Sequence, residues 1–278
     1  MGLEINFLND LTNLKQRGAL DGFSSVVEIG AQQLSNWFLR SNEALSKCYA
    51  AFNKPHIELG SPIEVGATDG VEHQSEENPS SRAFWQSIGF RYTSIEFDGH
   101  RDSVALDLNC GRVPRDMRGT FELIVNTGTT EHVANQENAF RVMHDLCKVG
   151  GVIYHFLPAG GMMNHGLVTY TPKFFLLLCR ENDYECLIFR VADHPANPVP
   201  QDIRDTNMQF CGYDAISADR LVPDFSIAVA IRKKHDRPFV TPLDIPAELV
   251  RKGNFRLKNL YSRLRRAVSV GFGLLGPR

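Results

Sequence analysis

Acidic and amide side chains stand at the ends of three short apolar runs, and a glycine at the end of a fourth, acid-bearing one. Val26-Val27-Glu28-Ile29 leads into Gly30-Ala31, Tyr92-Thr93-Ser94-Ile95 into Glu96, Ser103-Val104-Ala105-Leu106 into Asp107, and Phe121-Glu122-Leu123-Ile124-Val125 into Asn126-Thr127. A carboxylate after the second run can accept both hydroxyls of a ribose, because two donors match two acceptor oxygens. Glu96 is the candidate, with Asp98 able to serve instead, since the bounds of a short strand shift by a few residues. Asp107, with the backbone of Leu108 beside it, suits the amino edge of an adenine ring. Gly30 lets the chain turn sharply and approach a ligand without a Cβ in the way; Glu28 and Ala31 flank it and complete the candidate cofactor set with Asn126 and Thr127. Any one of these acids could instead cap a helix or a turn. Their recurrence at successive strand ends is what points to a nucleoside.

A second group follows. Thr127-Gly128-Thr129-Thr130-Glu131-His132 is rich in hydroxyl and ionisable side chains, and His155, His165 and Tyr170 lie on the next strand and the glycine-containing stretch after it. A neutral imidazole can take a proton near neutral pH, so His132, His155 and His165 are candidate catalytic groups, and Glu131, His165 and Tyr170 candidate substrate contacts. A capped helical turn at Thr129 or Thr130 is the plainer alternative for the first of these clusters. No metal site is read, because His155 and His165 lack a third ligand at a convincing spacing. The six cysteines form no C-x-x-C pair and read as reduced, mostly buried thiols.

The elements that must position these residues alternate between two periods. Leu3, Phe7, Leu8, Leu11 and Leu14 predict a helix before the first strand, and a second helix is expected from about Leu34 to Phe52. Further helices are expected at Ser81 to Ile88, Glu137 to Cys147 and Lys173 to Asn182. Additional strands are expected at Val152 to His155, Glu185 to Arg190 and Phe225 to Arg232. The result is an α/β fold with a mainly parallel sheet flanked by helices and an antiparallel last strand. The domain is expected to span 1–240, with an insertion at about 55–82 and a long connection at about 193–223. A basic, helical extension follows at 241–278.

Charge divides the chain at the same place. The net charge of −2 is the balance of +7 from Ala247 to Arg278 and −9 elsewhere. An acidic body argues against a broad nucleic-acid footprint, and a nucleic-acid substrate is disfavoured on that ground. The basic tail suits docking on the domain, a protein contact or the surface of an anionic membrane. With no run of 18 apolar residues and no basic, apolar leader, the chain reads as soluble and cytoplasmic.

Taken in order, these motifs resemble the class I S-adenosylmethionine-dependent methyltransferases, over residues 25 to about 190. Val26-Val27-Glu28-Ile29-Gly30 is similar to that family's opening strand and turn, Glu96 and Asp107 to its acids after the second and third strands, and Phe121 to Val125 with Thr130-Glu131-His132-Val133 to its fourth motif. Leu146-Cys147-Lys148-Val149-Gly150-Gly151 resembles the turn before its fifth strand. The sequence departs from the family in lacking further glycines after Gly30, where Gln32 and Gln33 stand, and in carrying Val149 where proline is usual. The resemblance implies a Rossmann-like fold, S-adenosyl-L-methionine as cofactor, His132 beside the transferred methyl, and a small-molecule or carbohydrate-like acceptor. A non-catalytic relative using the fold as a binding module is the alternative, and a nucleic-acid methyltransferase a second.

Overall fold

The computed structural model describes residues 2–60, 78–160, 165–193 and 225–244. The chain divides into two compact units, Met1–Thr241 and Pro242–Arg278, and every element below belongs to the first. The basic helical extension, most of the 55–82 insertion and nearly all of the 193–223 connection lie outside the described residues. Among the described residues no helix is long and apolar enough to cross a membrane.

Seven strands form one sheet: β1 (Ser25–Ile29), β2 (Arg91–Glu96), β3 (Val104–Ala105), β4 (Phe121–Thr127), β5 (Cys147–Gly160), β6 (Glu185–Asp193) and β7 (Phe225–Arg232). Their order is β3-β2-β1-β4-β5-β7-β6. The pairs among β1 to β5 are parallel, and β7 runs antiparallel to both β5 and β6, as the sequence pattern predicts. Six helices accompany it: α1 (Ile5–Gln16), α2 (Asn36–Leu39), α3 (Asn42–Ala51), α4 (Arg82–Ser87), α5 (Gln136–Leu146) and α6 (Pro172–Asn182).

Two expectations are revised. The helix expected from Leu34 to Phe52 is broken after Leu39, and its first turn is capped by Ser35 Oγ accepting from Phe38 N–H. The fifth strand runs on to Gly160 instead of ending at His155, because Phe156 to Gly160 continue the antiparallel ladder with β7. A lone strand reading stops at the polar and glycine residues, but a long partner carries pairing through them.

Side chains alternate between two apolar layers. Val27, Ile29, Ile124 and Ile153 face α5 and α6, while Val26, Leu123, Val125, Val152 and Tyr154 face the helices that precede β2. The same period-2 rule sends Glu28 into the second layer beside Val26, where it is 0% exposed. There its carboxylate accepts from Trp85 Nε1 (2.7 Å), Ser81 Oγ (2.7 Å), Tyr92 Oη (2.8 Å) and Gln32 N (3.0 Å). These donors come from β2, α4, the residue before α4 and the turn after β1, so one side chain ties four segments together. Burial nevertheless pushes its pKa up, against the lowering effect of the four donors.

Removing that acceptor leaves four donors unmatched, three of them on buried residues. Glu28→Ala is expected to lower unfolding stability by about 3 kcal/mol or more, read as a lower urea midpoint; an unchanged midpoint would refute the anchoring role.

Candidate functional site

In an open parallel sheet, ligands bind beyond the carboxyl ends of the strands where the strand order reverses. Here the order reverses at β1, between β2 on one side and β4 on the other. Gly30 follows β1 with φ +82° and donates its N–H to Ile95 O on β2. Glu96, at the end of β2, reaches back across the same gap, its Oε1 accepting from Ala31 N–H at 2.6 Å. Gly30, Ala31 and Glu96 are therefore brought together as the sequence proposed.

The reason for glycine at position 30 is different from the one expected. A Cβ there would lie 2.3 Å from Thr129 Oγ1, in the loop after β4. That hydroxyl donates to Ile29 O at 2.6 Å, and Gln32 Nε2 lies 3.3 Å from it and 3.2 Å from Gly30 O. Thr129 and Gln32 thus pack the turn from within, and Gln32, one of the departures from the glycine pattern, is a buried structural part of it. Glu28, grouped with the cofactor residues from sequence, has its acceptor capacity taken up by the four donors described above.

The remaining acids are more loosely placed. Asp98 is exposed and accepts from His100 N–H; Asp107 accepts from the N–H and side-chain amide of Asn109, and from Cys110 Sγ. The Asn109 backbone donor holds the Asp107 carboxyl below its usual range. Leu108 is buried, and its carbonyl accepts from Asn138 Nδ2 at 2.9 Å. Asn138 also donates to Gly111 O, and Asn135 donates to Asn109 O. These two amides fasten the loop after β3 to the start of α5. Sequence reasoning missed them, although the run Asn135-Gln136-Glu137-Asn138 was available as a signal.

On the other side of the sheet order, Asn126 and His155 are register partners on β4 and β5, both buried, with Asn126 Nδ2 at 3.2 Å from His155 Nδ1. The amide also donates to Thr130 Oγ1 (2.9 Å), which receives a second bond from Tyr170 Oη (2.9 Å). Tyr170 Oη also lies 2.6 Å from Gln136 Oε1, its single proton shared between the two oxygens, and Gln136 Nε2 donates to Thr130 O. His155 packs between Phe140 and Phe175, and burial lowers its pKa to about 3. His155 and Tyr170, read from sequence as candidate catalytic and substrate groups, therefore form a buried frame around the Thr130 turn.

That frame presents the third group. Glu131, His132 and His165 come together: Glu131 Oε1 is 3.5 Å from His165 Nε2 and 3.9 Å from His132 Nε2. The Glu131 side chain is 0% exposed, while those of His165 and His132 are 32% and 52% exposed, so the group has one buried floor and an open rim. Leu167 and Val168 N–H both donate to Glu131 O, and a Cβ on Gly166 would lie 2.9 Å from Glu131 Cγ, so residues 165–168 rest directly on the glutamate. Burial raises the Glu131 carboxyl to about 7 and lowers the His132 imidazole.

No family model matches the sequence, and no curated protein matches it. Among solved structures, the chain is similar to 1,6-didemethyltoxoflavin-N1-methyltransferase of Burkholderia thailandensis, solved with S-adenosylhomocysteine (9% identity, TM-score 0.38, covering 82% of this chain and 80% of that one). It is also similar to S-adenosylmethionine-dependent methyltransferases of Thermotoga maritima (12%, 0.32, covering 82% and 91%) and Methanosarcina mazei (9%, 0.35, covering 78% and 95%).

The buried histidines set an acid limit. His155 and His144, the latter lowered to about 4 mainly by burial, are neutral in the fold, whereas in the unfolded chain each takes a proton near 6.5. Their contribution is full above pH 6.5 and is lost as pH falls towards 3 for His155 and 4 for His144. Replacing His155 by Leu is expected to shrink the loss of stability between pH 7 and pH 4 by roughly 3 kcal/mol. Urea midpoints at the two pH values measure it, and an unaltered difference would contradict the neutral assignment.

Proposed function

We propose that the protein is an S-adenosylmethionine-dependent methyltransferase acting on a small-molecule or carbohydrate-like acceptor. The observation that carries this reading is the Glu96 carboxylate drawn over the Gly30-Ala31 turn at the reversal of strand order, with the Glu131, His132 and His165 group one strand away after β4. Glu96 is the ribose acceptor in this reading, and the loop from Asp107 to Gly111 borders the base.

In the reaction the bond between the sulfonium sulfur and its methyl carbon breaks as a bond from an acceptor oxygen to that carbon forms. The sulfonium becomes a neutral thioether, and the proton lost by the oxygen passes to the imidazole and carboxylate group beside it. Alignment of donor and acceptor supplies much of such a rate, so the rigid Thr130 turn matters as much as any base.

A second reading, a binding module without methyl transfer, is favoured by Thr129 and Gln32 packing the turn that glycines leave open elsewhere. Isothermal titration separates them at the first step. S-adenosylmethionine and S-adenosylhomocysteine are both expected to bind, and Glu96→Ala to weaken each about tenfold or more with the parent's circular dichroism retained. Failure of both ligands to bind folded protein would exclude the enzyme.

A further inference from the structure

Glu131 is the starting point, because neither of its carboxylate oxygens has a hydrogen-bond partner among the described residues, although the side chain is wholly buried. An ionised carboxylate held without donors is strongly unfavourable. A proton shared with one imidazole would answer for one neighbour only. Both His132 and His165 direct Nε2 towards the same Oε1, and two imidazolium ions there would repel each other. A single divalent cation satisfies all three groups, since it takes one lone pair from each neutral imidazole and the charge of the carboxylate.

We propose that Glu131, His132 and His165 bind a divalent first-row transition metal of the Zn2+ class. One ligand atom from each residue lies within 4.8 Å of the others. Ligands at about 2.0–2.1 Å around a tetrahedral ion are roughly 3.4 Å apart, so a modest rotation of the half-exposed His132 ring completes the set. Two imidazoles and one carboxylate suit Zn2+ or Co2+ better than Mg2+ or Ca2+, which prefer all-oxygen shells. Three protein ligands leave a further position open on the exposed side of the two histidines, the arrangement of a metal that receives a substrate oxygen.

The sequence shows why this set escapes a spacing search: Glu131 and His132 are adjacent, and His165 arrives from beyond β5, pinned to Glu131 O by the N–H groups of Leu167 and Val168. With the ion bound, the imidazoles and the carboxylate serve as ligands in place of proton acceptors, and an acceptor oxygen that the ion coordinates would lose its proton to water instead. That use of the site rests on the methyl-transfer reading, but metal binding itself does not.

The test takes full-length protein stripped with a chelator and titrates it with Zn2+ by calorimetry and with Co2+ by visible absorption. Each sample is also titrated with S-adenosylhomocysteine. One Zn2+ per chain and a tetrahedral Co2+ spectrum are expected in the parent protein. Glu131→Gln and His165→Ala should each weaken Zn2+ binding about tenfold or more, while retaining the parent's circular dichroism. The absence of one-to-one binding, or equal affinity in the parent and both variants, would overturn the site. Zn2+ binding as expected without S-adenosylhomocysteine binding would support the metal site and refute the methyl-transfer reading.

Discussion

A carboxylate taken out of water must be matched by donors inside the protein, and Glu28 meets this constraint in the middle of the sheet. Because β1 has neighbours on both sides and a layer on both faces, the donors that reach it among the described residues are those that neighbouring segments bring: Trp85, Ser81, Tyr92 and Gln32. Meeting it sets the position of α4 against β2 and fixes Gln32 over the turn. Gln32 in turn holds Thr129, and Thr129 precedes the Thr130 turn that carries Glu131. A structural acid on an interior strand thus governs where the chemical groups at the end of β4 can sit.

Glu131 has the same burial and the opposite surroundings. Its oxygens make no hydrogen bond among the described residues, and its ionisable neighbours are two imidazoles at the rim. The frame of Asn126, His155, Tyr170 and Gln136 bonds to Thr130, one residue away, and leaves the Glu131 carboxylate untouched. Rigid support with an unsatisfied head group is how a reactive or ligand-holding side chain differs from a structural one.

What could be read from the sequence follows the same physical division. Strand ends at Gly30, Glu96 and Asn126, and the whole of β7, were legible because apolar alternation and glycine report local geometry. The pairing of Glu96 with Ala31 was partly legible, as two strand ends that a parallel sheet must bring level. The saturation of Glu28, the burial of His155 and Tyr170, and the approach of His165 to Glu131 were not. Each depends on partners distant in sequence, from 15 residues for Phe140 and His155 to 64 for Tyr92 and Glu28, and no local pattern encodes them. The Leu34 to Phe52 reading failed for a related reason: its apolar period is continuous, but the Ser35 and Ser41 region interrupts the helical hydrogen bonds.

The polarity of the unmatched groups bears on which nucleotide-like ligand suits the crevice. A dinucleotide pyrophosphate needs donors, namely the N–H groups of a glycine-rich turn at a helix start. Here Ala31 N–H is already held by Glu96 and Gln32 N–H by Glu28. The buried atoms without partners among the described residues at the ends of β1 and β4 are instead Gln32 Oε1, Asn126 Oδ1 and Thr127 Oγ1. Two of them are pure acceptors, and the third can act as one. Acceptors without donors complement a cation. The α-ammonium of a methionine moiety supplies three donors and a positive charge, whereas a phosphate supplies neither. The turn after β1, with these N–H groups already held, lacks the free donors that a phosphate cradle needs.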